Sequence, residues 1–327
     1  MRYLNLPLTL VLFTSVAQGV ELNEQWSVTG TLEAEYQVNR SQGKTEKGGY
    51  LSTAALGTTF KPNEKLEFNG SLLYEEDIAG VATKLEVDEA YGTWHAQPND
   101  KLDLMLGKKY LPFGRFESKM VSDPLTLELG ETRSNAALQV NHKQGNITTA
   151  AYLFKGKAPK LTGNAEHKHG YGASLRYEQA NTQAGIDYIS NIGEAHELNT
   201  ARKIPGVALH AAKQINKVTV SAEHLSALKS LQVGDLDNEG DGGLTSKAKP
   251  SATHIEASVD LNKDRSLALA WNRTQQATAL DLPKQAYGIA YQQPLFKKLN
   301  GGVELMQNKD YDKVKSKSLT LQVAYEF

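Results

Sequence analysis

The side chains able to do chemistry are scattered. Eight histidines (His95, His142, His167, His169, His196, His210, His224 and His254) are spread over the chain, and there is no cysteine. Only His167-x-His169 has a metal-ligand spacing on one element, and it falls in a polar stretch where solvation is the plainer reading. Without cysteine there is no thiolate nucleophile, thiolate ligand or disulfide. No serine is marked as a nucleophile by its neighbours. Asp235, Asp237, Glu239, Gly240 and Asp241 have the composition of a calcium loop, but Ser246 stands where the closing bidentate glutamate is required. The reading is therefore no enzyme, no catalytic residue, no metal site and no cofactor.

The remaining charges acquire meaning from the elements that carry them. At the C-terminus Leu319, Leu321, Val323, Tyr325 and Phe327 alternate with Thr320, Gln322, Ala324 and Glu326. A period of two places each set on one face of a β-strand. The same alternation begins at Trp26, Val28, Leu32, Ala34, Tyr36 and Val38 and recurs about sixteen times. Short turns near 62, 98, 144, 180, 215, 263 and 296 interleave with longer polar segments near 44, 79, 122, 161, 197, 239, 278 and 312. The spacing predicts an all-β fold, a transmembrane antiparallel up-and-down barrel of about 16 strands with tight turns at one end and longer loops at the other. Sixteen strands of about 11 residues and seven turns of about 4 leave roughly 100 residues for eight loops. In one strand, 84–95, Ala90 and Trp94 compete with Val87 and Tyr91 for the apolar face. Tyr36, Tyr50, Phe60, Tyr74, Tyr152, Phe154, Tyr177, Tyr188, Trp271, Tyr291 and Tyr325 are assigned to the apolar face as an aromatic girdle.

The opposite parity then lines a lumen. It carries ten acids, Glu33, Glu35, Glu67, Glu75, Asp103, Glu178, Asp187, Glu223, Glu256 and Glu304, against Lys101, Lys109, Lys155 and Arg176. So many charges would be prohibitive in a dry core, so the interior is expected to be wet or crossed by ion pairs. After the fifth strand, Pro112 and Gly114 break the ladder and open a segment of over twenty residues through Arg133. Folded inward, it would narrow the pore. Its charges are Lys108, Lys109, Arg115, Lys119 and Arg133 against Glu117, Asp123, Glu128 and Glu131, and facing rings of opposite sign would filter polar solutes. The candidate pore-lining residues are Lys109, Arg115, Glu117, Glu128, Glu131, Arg133, Arg176, Asp103 and Glu35.

The block Gly107-Lys108-Lys109-Tyr110-Leu111-Pro112-Phe113-Gly114, with Met120-Val121-Ser122-Asp123-Pro124-Leu125-Thr126-Leu127-Glu128-Leu129-Gly130-Glu131-Thr132-Arg133, resembles the signature of the LbtU family of siderophore porins. Val87-Asp88-Glu89-Ala90-Tyr91 and Tyr325-Glu326-Phe327 fit the same pattern, and the Gly-x-x-x-x-Pro-Phe-Gly part is similar to phosphate-selective porins too. The resemblance implies an outer-membrane barrel through which ferric siderophores diffuse. The alternative is a porin for general solutes or small anions, although a phosphate-selective pore should be lined with Lys and Arg.

Residues 1–19 read as a secretory signal peptide, with Arg2, an apolar run from Leu4 to Val16 and the small-x-small site Ala17-Gln18-Gly19. Residues 20–327 form the barrel, exported to the outer membrane of a Gram-negative cell. The expected partners are outer-membrane lipid and lipopolysaccharide, the barrel-assembly machinery through Phe327, a ferric siderophore or small polar solute, and further copies in a homotrimer. Thirty-six Lys+Arg against 37 Asp+Glu leave no basic footprint for nucleic acid.

Overall fold

In the computed structural model, residues 19–97, 101–160, 166–195, 198–235, 244, 246–262 and 265–327 are described. Residues 1–18 of the expected signal peptide, the Gln97–Asp100 turn beyond Gln97, His196, the acidic run 236–241 and the Lys263-Asp264 turn lie outside them. Period-two segments form β1 (Trp26–Ser41), β2 (Lys44–Asn63), β3 (Leu66–Glu75), β4 (Glu86–His95), β5 (Leu102–Tyr110), β6 (Arg133–Gln144), β7 (Ile147–Lys155) and β8 (His169–Gln179). They continue as β9 (Thr182–Ile189), β10 (Gly206–Ile215), β11 (Val218–Ala227), β12 (Ser251–Asn262), β13 (Arg265–Gln275), β14 (Gln285–Phe296), β15 (Leu299–Lys309) and β16 (Lys315–Glu326). Each pairs antiparallel with the next, and β16 pairs back onto β1 from Ser316↔Ser41 to Glu326↔Thr31. The result is a closed antiparallel barrel of sixteen strands with no free edge. A two-residue ladder, Val20–Glu21, folds back on Ser27 and Val28.

The barrel is inside-out. Leu32, Leu56, Leu106, Leu138, Leu175, Leu209, Leu269, Leu305 and Leu321 are exposed on the outer face, whereas Glu33, Thr93, Gln139, Asp187, Glu223, Glu256 and Glu304 are buried within. Hydrocarbon around such a cylinder accounts for both. The C-terminus seals it: Phe327 exchanges both backbone hydrogen bonds with Gly30 (2.9 and 3.0 Å).

Parity failed where the ladder slips or where the interior is not wet. A bulge at Ser52, with Glu33 opposite Thr53 and Ala34 opposite Leu51, turns Leu51 outward and Tyr50 inward. There the Tyr50 hydroxyl donates to Glu35 (2.8 Å), so Tyr50 is not a girdle residue. A second slip, between Gly70↔Ala90 and Leu72↔Val87, reconciles the two competing sets in β4: Val87, Ala90 and Trp94 point out, Asp88 and Thr93 in. On β7 the expectation was reversed. Tyr152 is 2 % and Phe154 4 % exposed, while Leu153 is 60 % exposed. Their rings lie across Gly172 and Gly170 of β8, the Tyr152 hydroxyl donates to Tyr188 O (2.9 Å), and the pair joins an internal apolar cluster. Lys155 therefore projects outward and is not a lumen base. The first long connection is also absent. β1 and β2 run on to a two-residue turn in which Gln42 (φ 49°) and Gly43 (φ 76°) both adopt the left-handed conformations such hairpins need.

Gly107 marks the slip between β5 and β6, with φ at 145°. A Cβ there would sit 2.3 Å from Ala90 O and 2.5 Å from Tyr91 Cα, both rigid backbone. Gly107→Ala is expected to destabilise the folded barrel by about 2 kcal/mol or more. A lowered urea midpoint in tryptophan fluorescence checks this; an unchanged midpoint refutes it.

Candidate functional site

The loop 111–132 leaves the wall at Pro112 and folds into the barrel. Its backbone must satisfy its own N–H groups there, and the wall acids supply the acceptors. Asp187 on β9 accepts Gly114 N–H (2.9 Å). Glu223 on β11 takes Arg115 N–H (2.7 Å), Phe116 N–H (3.1 Å) and the Thr126 hydroxyl (2.9 Å). Glu256 on β12 takes the Ser118 hydroxyl (2.7 Å) and Lys119 N–H (3.0 Å). Glu304 on β15 takes Val121 N–H (2.8 Å), Ser122 N–H (3.0 Å) and the Ser122 hydroxyl. The loop thus runs around the inner wall from β9 to β15 and then doubles back. On the return, Leu125 N–H reaches Asn272 Oδ1 on β13 (3.2 Å).

The returning arm is a helical turn, α1 (Leu125–Gly130), all of whose residues are buried. Phe113, Met120, Leu125 and Leu129 pack with Leu225, Ala252 and Ala270 of the wall. Ile192, Leu198, Ile204, Leu231, Leu244 and Leu282, from three outer connections, cap the same cluster. Part of the expected wet lumen is therefore a packed apolar layer. The ten-to-four excess of acids misjudged the pore, because Asp187, Glu223, Glu256 and Glu304 are buried acceptors rather than water-facing charges. Two buried histidines stand behind them, His210 Nε2 at 3.4 Å from Asp187 and His254 Nε2 at 3.6 Å from Glu256.

The candidate residues fall into separate groups. Arg115 pairs with Glu117 and with Glu178 of the wall (both 2.7 Å), and Arg176 donates to Gly114 O (3.0 Å) beside Asp187 (3.4 Å). Lys109 is buried, donating to Gln139 (2.8 Å) with its ammonium 5.3 Å from the Tyr91 ring centre. Asp103 meets His95 (2.8 Å), and Glu35 accepts from Tyr50 (2.8 Å) and Gln322 (3.0 Å). Arg133 binds Glu86 (2.6 Å) and Asp88. On the loop, Glu128 and Glu131 gather with Asp123 against Glu75 and Asp88 of the wall. Burial pushes the Glu128 carboxyl well above the usual carboxylate range, and the charges of Asp123, Glu131 and Glu75 push the same way. Burial does the same to Glu131, reinforced by Asp123, Asp88 and Glu75 and opposed by Arg133. In place of facing rings of opposite sign, the structure has a mixed cluster around Arg115 and an acidic one around Glu128.

Asn272, Tyr50 and the anchoring role of the wall acids escaped the sequence reading. The signal was present in part: four inward acids on β9, β11, β12 and β15 outnumber the bases that could neutralise them, so they needed donors from elsewhere.

A sixteen-stranded barrel with one loop folded into it is the architecture of outer-membrane porins, and solved porins superpose over nearly their whole length. The outer-membrane channel DcaP of Acinetobacter baumannii does so with a TM-score of 0.67, 15 % identity and coverage of 94 % of this chain and 99 % of that one. An anion-selective porin from Comamonas acidovorans gives 0.63 at 12 % identity over 92 % and 99 %, and OmpF of Salmonella typhi 0.64 at 11 % over 92 % and 97 %. No protein-family model matches the chain. In sequence it is similar to a UPF0422 protein of Coxiella burnetii (27 % identical over 320 residues, 90 % of this chain and 67 % of that protein). A UPF0422 protein of Legionella pneumophila is 22 % identical over 322 residues, 87 % of this chain and 59 % of its own length.

Proposed function

We propose that this chain is an outer-membrane diffusion channel whose cargo is set by the passage between the loop 111–132 and the wall around β1–β4. The supporting observation is the ladder of wall acids that pins the loop inside the barrel while Asp123, Glu128 and Glu131 gather against Glu75 and Asp88. Carboxyls crowded together there attract cations and repel anions once ionised, and burial delays that ionisation for Glu128 and Glu131 to higher pH. The channel therefore favours cationic and neutral polar solutes over the small anions of the alternative reading. Reversal potentials across a planar bilayer in a salt gradient test this; anion preference sinks it.

The finer reading is passage of ferric siderophores. Its support is that most of the 107–133 block carrying the resemblance to siderophore porins is the loop 111–132 that folds into the barrel. The acidic rim narrows the cargo to complexes without net negative charge. Uptake of radiolabelled iron on a neutral or cationic siderophore should fall in a deletion strain and return with the gene, while a tri-anionic complex should be indifferent to both. Equal uptake with and without the gene removes the siderophore reading and leaves the channel reading standing. As the assembled form we propose a homotrimer seated in outer-membrane lipid.

A further inference from the structure

Two rows of inward positions run side by side across β9, β10, β11 and β12. Register places Gln183, Ala212, Ser221 and Glu256 in the row nearer the short turns, and Gly185, His210, Glu223 and His254 in the row above it. Gly185, Ala212 and Ser221 are small, which leaves the inner wall hollow there. The His210 ring lies across Gly185, where a Cβ would sit 2.3 Å from its Cε1. The loop covers the hollow from the lumen side, because Arg115 N–H and Phe116 N–H are clamped to Glu223. What remains is a cavity of about 20 Å³ between Arg115, Phe116 and Glu117 and the wall, room for one or two water-sized groups. Phe116, Ala212 and Ala222 give it an apolar side.

The buried polar atoms of the lining residues lack partners among the described residues. Gln183 Oε1 accepts no hydrogen bond, and neither nitrogen of His210 makes one. His210 Nε2 comes only to 3.4 Å from Asp187. In either neutral tautomer His210 carries one lone pair that needs a donor. At the far side of the cavity, Asn272 Oδ1 accepts Leu125 N–H and faces His254 Nδ1 at 2.9 Å, which assigns the proton to that nitrogen. The neutral ring then keeps a lone pair on Nε2, which is buried without a hydrogen bond 3.6 Å from Glu256. Unmatched buried acceptors are costly, and what is missing here is a donor. The surrounding charge has the matching sign: Glu117, Glu178, Glu223 and Glu256 stand against Arg115, while Asp187 and Arg176 offset each other.

We propose that this cavity binds the primary ammonium group of a small organic amine, its N–H bonds directed at Gln183 Oε1 and His210 and its alkyl stem lying on Phe116 and Ala222. The positive head suits the excess of carboxylates, and three N–H donors suit the unmatched acceptors. The site lies beneath the loop on the short-turn side, across the lumen from the acidic passage, and rests only on the loop being seated inside the barrel.

Saturation-transfer magnetic resonance of the barrel, residues 20–327, refolded in detergent tests this at about pH 8, where free imidazole is neutral and an alkylammonium is charged. The probes are n-propylammonium, tetramethylammonium, which has the charge without N–H, and n-propanol, which has one O–H and no charge. n-Propylammonium should bind saturably and the other two should not. Gln183→Leu should weaken n-propylammonium roughly tenfold, as expected for one hydrogen bond to a charged group. Gln214→Leu, on β10 but outside the cavity, should bind as wild type. Equal binding of tetramethylammonium overturns the proposal in favour of a general attraction of cations to an acid-rich interior. Equal binding of n-propanol overturns it in favour of a cavity that any neutral donor fills, water included. The three-solute comparison needs no variant to fold. Undiminished binding by Gln183→Leu overturns the assignment to this cavity.

Discussion

Replacing Glu223 and Glu304 together by alanine is expected to release the inward loop and raise single-channel conductance roughly twofold or more, because a sixteen-stranded barrel without an ordered inward segment leaves a wide aqueous lumen. Each carboxylate holds three donors: Arg115 N–H, Phe116 N–H and the Thr126 hydroxyl at Glu223, and Val121 N–H, Ser122 N–H and the Ser122 hydroxyl at Glu304. Leaving a buried donor unmatched costs about 1–3 kcal/mol, so six stranded donors outweigh the local stability of one loop. The barrel itself should persist, since neither side chain takes part in the strand ladder, and its gel mobility before and after boiling should match wild type. Gln at both positions keeps an acceptor oxygen and should give an intermediate conductance. A double alanine variant with wild-type conductance would show that the apolar layer around Phe113 and Leu129 seats the loop unaided.

Cation preference is expected to rise with pH and to collapse when Asp123, Glu128 and Glu131 are neutralised together. The carboxyls of Glu128 and Glu131 lie well above the ordinary range because burial and neighbouring acids disfavour their charged forms. A raised carboxyl favours the folded state when neutral, so its stabilisation is complete below the ordinary carboxylate value of about 4.3 and is lost as pH climbs through the raised value. In acid the loop is seated most firmly and the rim carries least charge. At higher pH ionisation loosens the loop and makes the rim more negative. The reversal potential in a tenfold salt gradient should therefore move toward the cation limit as pH rises above the ordinary carboxylate range, whereas D123N/E128Q/E131Q should stay near zero throughout. A pH-independent potential in the wild type, or one that moves the other way, would remove these acids from the passage.

Much of the barrel was legible in the chain because its signal is local. Alternation in β16, from Leu319 to Tyr325, follows from backbone geometry alone and holds wherever both neighbours are regular strands. Closure follows from having sixteen such strands and no acceptable free edge. Local reading failed at Tyr50 and at Val87 to Tyr91, because a bulge reverses parity and is fixed by how two strands register. It failed again at Tyr152 and Phe154, where apolar residues point inward because an apolar loop waits there.

The site divides along the same line. Composition and spacing determined that the chain leaves the wall at Pro112, that the segment up to Arg133 carries acids and bases in close succession, and that the inner face is acid-rich. Only the tertiary structure decided which acids bind the loop and which do not. That choice depends on bringing Glu223 within 2.7 Å of Arg115 N–H across a separation of 108 residues, a contact no period in the sequence encodes. A carboxylate on an inward strand position has the same signature whether water or a backbone amide answers it, and what answers it is settled by the packing of the loop as a whole.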